Sequence, residues 1–155
     1  MENWTSCIDT LKAPEPFFFS TITPLDYKVP MVAVRDIGAV LAREALAGKK
    51  SSQSPYIYDL QGPRDYSPND VQAALSKALG GKSVAVNPVE KDQLPEFFNK
   101  VFPANVAAEF VEMTRSFLPG GKMILEPDPV EREVVRGETG LDEAMRDILK
   151  AASLA

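Results

Sequence analysis

Apolar residues recur at three- and four-residue spacing in several stretches of this chain, which predicts a series of amphipathic helices. Between Asp36 and Gly48, Ile37, Val40, Leu41 and Ala45 fall on one helical face. Asp36 is the predicted N-cap there and Gly48 the stop. A second helix carries Val71, Ala74, Leu75, Ala78 and Leu79. Its start signal is strong: Ser67 as N-cap, Pro68 at the first helical position and Asp70 as the capping-box acid. Gly80 and Gly81 end it. After Pro88 the pattern turns helical again in "EKDQLPEFFNKVF" and in "ANVAAEFVEMTRSFL". In the latter Ala107, Phe110, Val111, Thr114 and Leu118 share a face, closed by Gly120-Gly121. The last helix, with Thr139 as its predicted cap, carries Leu141, Met145, Ile148 and Leu149.

The remaining segments read differently. Prolines at 14, 16, 24 and 30 keep the beginning of the chain extended. Residues 17–23 and 31–34 are β-rich, and "TPLDYKVP" between them predicts a hairpin or a surface crossing. "YIYDL" at 56–60 and "KSVAVNPV" at 82–89 read as strands, "KKSSQSP" as a polar loop, and the proline-broken "EPDPVEREVV" as an acidic surface segment. No repeat or dividing linker interrupts the pattern. Residues 1–155 are therefore expected to form one α/β domain, with α+β as the alternative, built from few short strands and about five helices.

Composition narrows the chemistry. The net charge is −5 and the 17 basic residues are scattered, which argues against a nucleic-acid partner. No apolar run approaches the ~20 residues of a membrane span, and the first residues do not resemble a signal peptide. A cytoplasmic location is the default expectation. The single cysteine, Cys7, excludes an intrachain disulfide and reads as a small buried apolar group. Histidine is absent, so Ser–His–Asp and Cys–His catalysis and histidine-ligated metals are excluded. Proton transfer must then use Asp, Glu, Lys, Tyr, Cys or water. The acids of "EPDPVERE" lack the oxygen spacing and central glycine of a calcium loop, so no metal is expected.

"YDLQGPRDYSPNDVQAAL" has the strand–turn–helix order on which many α/β proteins hold a phosphate. Its turn has one glycine, Gly62, and Pro63 deletes an N–H donor; Arg64 could attract an anion but lies three residues before the cap. "GGKS" at 80–83 lies after a helix and before a strand, the reverse of a P-loop. The order predicts a structural connection rather than a phosphate cradle.

"MENW" at 1–4, "VPMVAVRDIGAVLAREAL" at 29–46, "YDLQGPRDYSPNDVQAALSKALG" at 58–80 and "GLDEAMRDIL" at 140–149 resemble, in order and spacing, segments of the NmrA-like proteins. These are atypical relatives of the short-chain dehydrogenase/reductases and include NAD(P)-dependent quinone reductases and NADP(H)-sensing regulators. The resemblance spans nearly the whole chain but only the family's second half. It implies a truncated Rossmann-like remnant without the glycine-rich cofactor turn. No cofactor is then expected for the isolated chain, and NADP only if a partner completes the site. The resemblance places Asn3 and Trp4 at the nicotinamide-side end of a substrate cleft, lined or supported by residues 17–23 and 31–34, with Phe17, Phe19 and Met31 among the substrate-binding groups.

Asp26, Tyr27 and Lys28 form the compact triplet that could do acid–base work without histidine. Tyr27 or Tyr58 would donate hydrogen bonds and Asp26 or Lys28 would carry protons. The expected function is binding of a hydrophobic, aromatic or carbonyl-containing small molecule, with a non-redox isomerisation, dehydration or cyclisation, or simple carriage. The alternatives are a regulatory protein-interaction module and an NAD(P)H-dependent reductase completed in an oligomer or by a partner. The strands at 56–60 and 83–87 would leave open edges, which predicts a homodimer or pairing with a second protein.

Overall fold

The computed structural model describes residues 1–48, 55–125 and 132–154. A 3-10 turn at Glu2–Cys7 leads into helix α1 (Ile8–Leu11), strands β1 (Phe17–Ser20) and β2 (Val29–Pro30), and helix α2 (Val34–Ala47). Strands β3 (Asp59–Gln61) and β4 (Asp65–Tyr66) precede helix α3 (Pro68–Ala78) and strand β5 (Ala85–Pro88). Helices α4 (Leu94–Asn99), α5 (Ala104–Phe117) and α6 (Lys122–Leu125), strand β6 (Val134–Arg136) and helix α7 (Leu141–Ala151) complete the order. The fold is α/β, as expected. Its α1 and α6 are single turns of four residues.

The strands pair two by two. β1 runs parallel to β5 with Phe18 opposite Val86, β3 runs parallel to β6 with Leu60 opposite Val135, and β2 lies antiparallel to β4 with Val29 opposite Tyr66. Among the described residues no third strand joins any pair. Of the two expectations for residues 17–34, a hairpin or a surface crossing, the hairpin does not form. β1 instead crosses to β5, where Phe18 is fully buried with Val71, Leu75, Met145 and Leu149 in the main core. The prolines at 24 and 30 remove two donors that a hairpin ladder would use. Val34, read as the end of a strand, opens α2.

The main core lies between α3, α7 and the β1–β5 pair. A smaller one holds Val89, Leu94, Phe98, Ala107 and Val111 under α4 and α5. The apolar stripes read for α3 and α7 supply seven of the sixteen buried residues of the main core, and that of α5 two of the five in the smaller one. The start of α3 is as predicted: the Asp70 N–H donates to the Ser67 hydroxyl at 3.2 Å, and the Ser67 N–H donates to the Asp70 carboxylate at 2.8 Å. Gly80 and Gly81 take φ of +72° and +91° past its end, which a side chain would resist.

Two predicted caps are corrected. Ala33, not Asp36, is the N-cap of α2, and Gly140, not Thr139, is the N-cap of α7. Asp36 sits buried in the first turn of α2 and accepts from the Thr139 N–H at 2.9 Å and from its hydroxyl at 2.7 Å. Arg35 Nε–H donates to the same hydroxyl at 2.6 Å. Each side chain that could have capped its own helix ties the two helix starts together instead. Gly137 passes so close to the Asp36 carboxylate that a Cβ there would overlap it.

Two strand boundaries also differ. Residues 134–136 of the expected surface segment form β6, because Val134 and Val135 fit a pleated ladder whatever their acidic neighbours. Residues 126–131 of that segment, with most of its acids, lie outside the described residues, as do residues 49–54 of the polar loop. The strand read at 56–60 begins only at Asp59.

Loss of the Thr139 hydroxyl leaves Asp36 with an unmet buried oxygen. T139V should therefore destabilise the protein by about 1–3 kcal/mol in chemical denaturation, whereas T139S should be much closer to wild type. Asp70 supplies a pH test. Burial pushes its carboxyl up, but the Ser67 N–H, Arg64 and the Ser67 hydroxyl outweigh this and hold it below the usual range. Its contribution is present above the unfolded value of about 4 and lost as pH falls through the depressed folded value. Melting temperature should fall more steeply below about pH 4 in wild type than in D70N.

Candidate interaction surface

A parallel strand pair is ordinarily covered on both faces and continued at its edges, and a two-stranded sheet alone is marginal. The β3–β6 pair has neither continuation among the described residues. Its ladder is bounded by the Asp59 N–H donating to the Glu133 carbonyl at 2.9 Å and the Gly137 N–H donating to the Gln61 carbonyl at 2.7 Å. In that phase the backbone groups of Leu60 on one strand, and of Val134 and Arg136 on the other, face away from the pair.

The neighbouring helix repeats the pattern. Of the stripe read for α2, Val40 is buried and Ile37 half-buried, but Leu41 is 60% exposed and Ala45 is exposed. Leu46 is 87% exposed. Tyr56 connects this helix to the strands. Its hydroxyl donates to Glu133 at 2.7 Å, and that hydrogen bond, then desolvation and the charges of Glu133 and Glu44 on α2, raise its pKa. Ile57 and Val134 are exposed beside it. Leu41 and Leu46 on α2, and Tyr56, Ile57 and Val134 at the unfinished parallel ladder, are thus large apolar side chains left exposed. The stripe of α2 was legible in the sequence; its lack of cover was not.

The predicted site residues are dispersed. Asp26 and Lys28 are exposed, and the half-buried Tyr27 donates its hydroxyl to the Phe117 carbonyl at 3.2 Å, at the end of α5. Tyr58 is half-buried, its ring 5.4 Å from that of Tyr56. Among the described residues no hydrogen bond or ring contact links Tyr27 with Tyr58. Asn3 is exposed, and its carbonyl accepts from Ser6 at 3.0 Å. Trp4 packs edge-on against Phe18 at 5.3 Å, while Phe17 and Phe19 meet at 5.6 Å on the opposite face of β1. Phe19 is exposed and continues to Phe97 at 5.6 Å. Met31 is buried in the main core. The structure thus joins Phe17 to Phe19 but does not gather the five predicted contact residues. Among the described residues, none of the five lines either of two clefts of about 420 and 470 Å³.

The strand–turn–helix turn has its own structural account. Gly62 is needed because the Met31 carbonyl lies where a Cβ would be. Arg64, the potential anion ligand, is paired to Asp70 at 3.2 Å and stacked 4.2 Å over the Tyr66 ring. Among the described residues no cluster of three metal-ligating side chains occurs, and no helix is long and apolar enough to cross a membrane.

Sequence reading missed the group Arg35, Glu143 and Asp147. Arg35 pairs with Asp147 at 3.0 Å and with Glu143, and these contacts, led by the Glu143 hydrogen bond, raise its pKa. The signal was present as two acids four residues apart on one face of the last helix, opposite the "RD" that begins α2.

Cys7 is buried, as expected, and its thiol donates to the Trp4 carbonyl at 2.8 Å. Burial pushes the thiol up to about 11. At pH 8 a disulfide reagent should therefore label the native chain about two orders of magnitude more slowly than the chain in urea. Comparison with protein-family models gives no match to this chain, and comparison with curated proteins gives none either.

Proposed function

We propose that this chain is the second half of an NmrA-like architecture and acts as a regulatory protein-interaction module. Its partner would be a polypeptide that carries the first half, met by strand addition at the β3–β6 pair and by packing on α2. The single observation that carries this reading is the open parallel pair, left with Ile57 and Val134 exposed while Leu41 and Leu46 stand exposed on α2. Exposed edges of this kind invite pairing, and an apolar patch beside such an edge gives a partner strand both hydrogen bonds and burial. A Rossmann-type first half ends in parallel strands, the strand type that such a ladder accepts. In this reading NADP(H) belongs to the assembled pair, because the glycine-rich turn comes from the partner.

A second reading rests on the exposed Phe19 ring, which continues through Phe97. That wall could carry a flat aromatic ligand by ring stacking. Tyr27 and Tyr58, held on different neighbours, would then not act on it together.

Sedimentation velocity tests the main reading. The chain alone, and mixed with the first half of an NmrA-like protein, is measured over a concentration series. A 1:1 complex is expected, weakened by roughly tenfold or more in the L41E/I57E double variant. A chain that stays monomeric and unbound at high micromolar concentration would overturn the proposal. A self-associating chain that ignores the first half would replace the partner with a second copy.

A further inference from the structure

The outer edge of β6 meets no other backbone among the described residues. The Glu133 carbonyl and the Gly137 N–H are bonded to β3, so the N–H and carbonyl of Val134 and of Arg136 point the other way. Both residues are exposed. The outer edge of β3 offers less. Leu60 alone carries outward groups within that strand, and the Gly62 carbonyl beyond it accepts from Arg136 at 3.2 Å.

The edge sequence "REVVRGE" at 132–138 complements itself when a second copy runs the opposite way. With Val135 facing Val135, Val134 faces Arg136 and Arg132 faces Glu138. Outward groups then meet outward groups. Val134 and Arg136 exchange hydrogen bonds in both directions, and the valines at 135 form the closer kind of pair between them. Arg132 lies 3.8 Å from Asp59 of its own chain, so Glu138 of the second copy would join an existing contact. Glu138 itself is exposed.

Other registers fail. A slip of one residue sets outward groups against inward ones. A slip of two keeps the phase but opposes like charges, Arg132 to Arg136 in one direction and Arg136 to Arg136 in the other. Either slip also moves Val135 off its counterpart, to Glu133 or Gly137. The apolar face favours the same register. Leu60 lies opposite Val135 and both are half-buried, so pairing sets Leu60, Val135, Val135 and Leu60 in one row. Two marginal two-stranded sheets become a single broader one.

We propose that β6 docks a second copy of this chain, antiparallel, with Val135 on the two-fold axis. This rests on the reading of the β3–β6 pair as an open docking edge, and it adds a regulation of that edge. Self-pairing occupies the strand that the first-half partner needs, so the two compete.

The test is disulfide trapping under mild oxidation, with the wild-type chain as blank because its one cysteine is buried. In the paired register the Cα atoms of residue 135 lie about 4.5 Å apart, inside the roughly 4.4–6.8 Å that a disulfide spans. Those of residue 134 lie diagonally, roughly 7–8 Å apart. V135C should therefore be trapped roughly tenfold faster than V134C, although Val134 is the more exposed and random collision would favour it. In sedimentation, E138R and R132E should each dimerise roughly tenfold more weakly than wild type, and an equal mixture of the two should recover wild-type strength. Faster trapping of V134C, or no recovery in the mixture, would overturn the proposal. An excess of the first half should slow V135C trapping. Trapping that ignores a first half which also forms no complex leaves the dimer standing and removes that partner. A chain that binds the first half but is never trapped overturns the dimer and leaves the partner standing.

Discussion

One hydroxyl, that of Thr139, holds the start of α2 to the start of α7. It donates to one oxygen of Asp36 and accepts from Arg35, while the Thr139 N–H takes the other Asp36 oxygen. The constraint is strict because the carboxylate is buried and a partnerless buried oxygen is costly. Among the described residues no buried side-chain polar atom lacks a partner. The clamp matters because α2 has little other anchorage: Val40 is its one buried apolar side chain. It also dictates what precedes α7, since Gly137 must pass the Asp36 carboxylate without a Cβ as the chain leaves β6. The position of α2, and through it the apolar surface beside β3 and β6, follows from a handful of polar contacts rather than from packing.

Local signals and tertiary ones differed in how far they could be read. The capping box at Ser67 and Asp70, and the stripes of α3 and α7, are short-range patterns whose partners lie within a turn or two, and they appear as read. Asp36 and Thr139 have the same chemistry as caps, and each opens a helical stripe. Their partners lie 103 residues apart, a distance no local rule covers. Strand pairing failed for the same reason. Nothing in residues 17–23 announces β5 as their partner, and two valines inside an acidic segment gave no hint of β3.

The candidate chemistry was less legible than the fold. Tyr27 with Asp26 and Lys28 was chosen for proximity in sequence, but the Tyr27 hydroxyl is committed to a carbonyl of α5. The aromatic run at 17–19 alternates across β1, with Trp4 against one side of it and Phe97 against the other. What could not be read was exposure. Leu41 on α2 and Leu75 on α3 are both leucines on a predicted stripe, yet one faces solvent and the other is fully buried. The difference lies in which layer is present to cover each helix, and that is a property of the assembly rather than of the stripe.

The phenylalanine rings carry a consequence for how the molecule comes apart. Phe17, Phe19, Phe97, Phe98 and Phe110 form a relay of ring contacts, each step 5.5 or 5.6 Å, from the β1–β5 pair into the small core under α4 and α5. Without it that small core would be a satellite able to fray while the rest stayed folded. With it, peeling α4 and α5 away strips aromatic cover from β1 itself, so these two helices and the first strand share one cooperative fate.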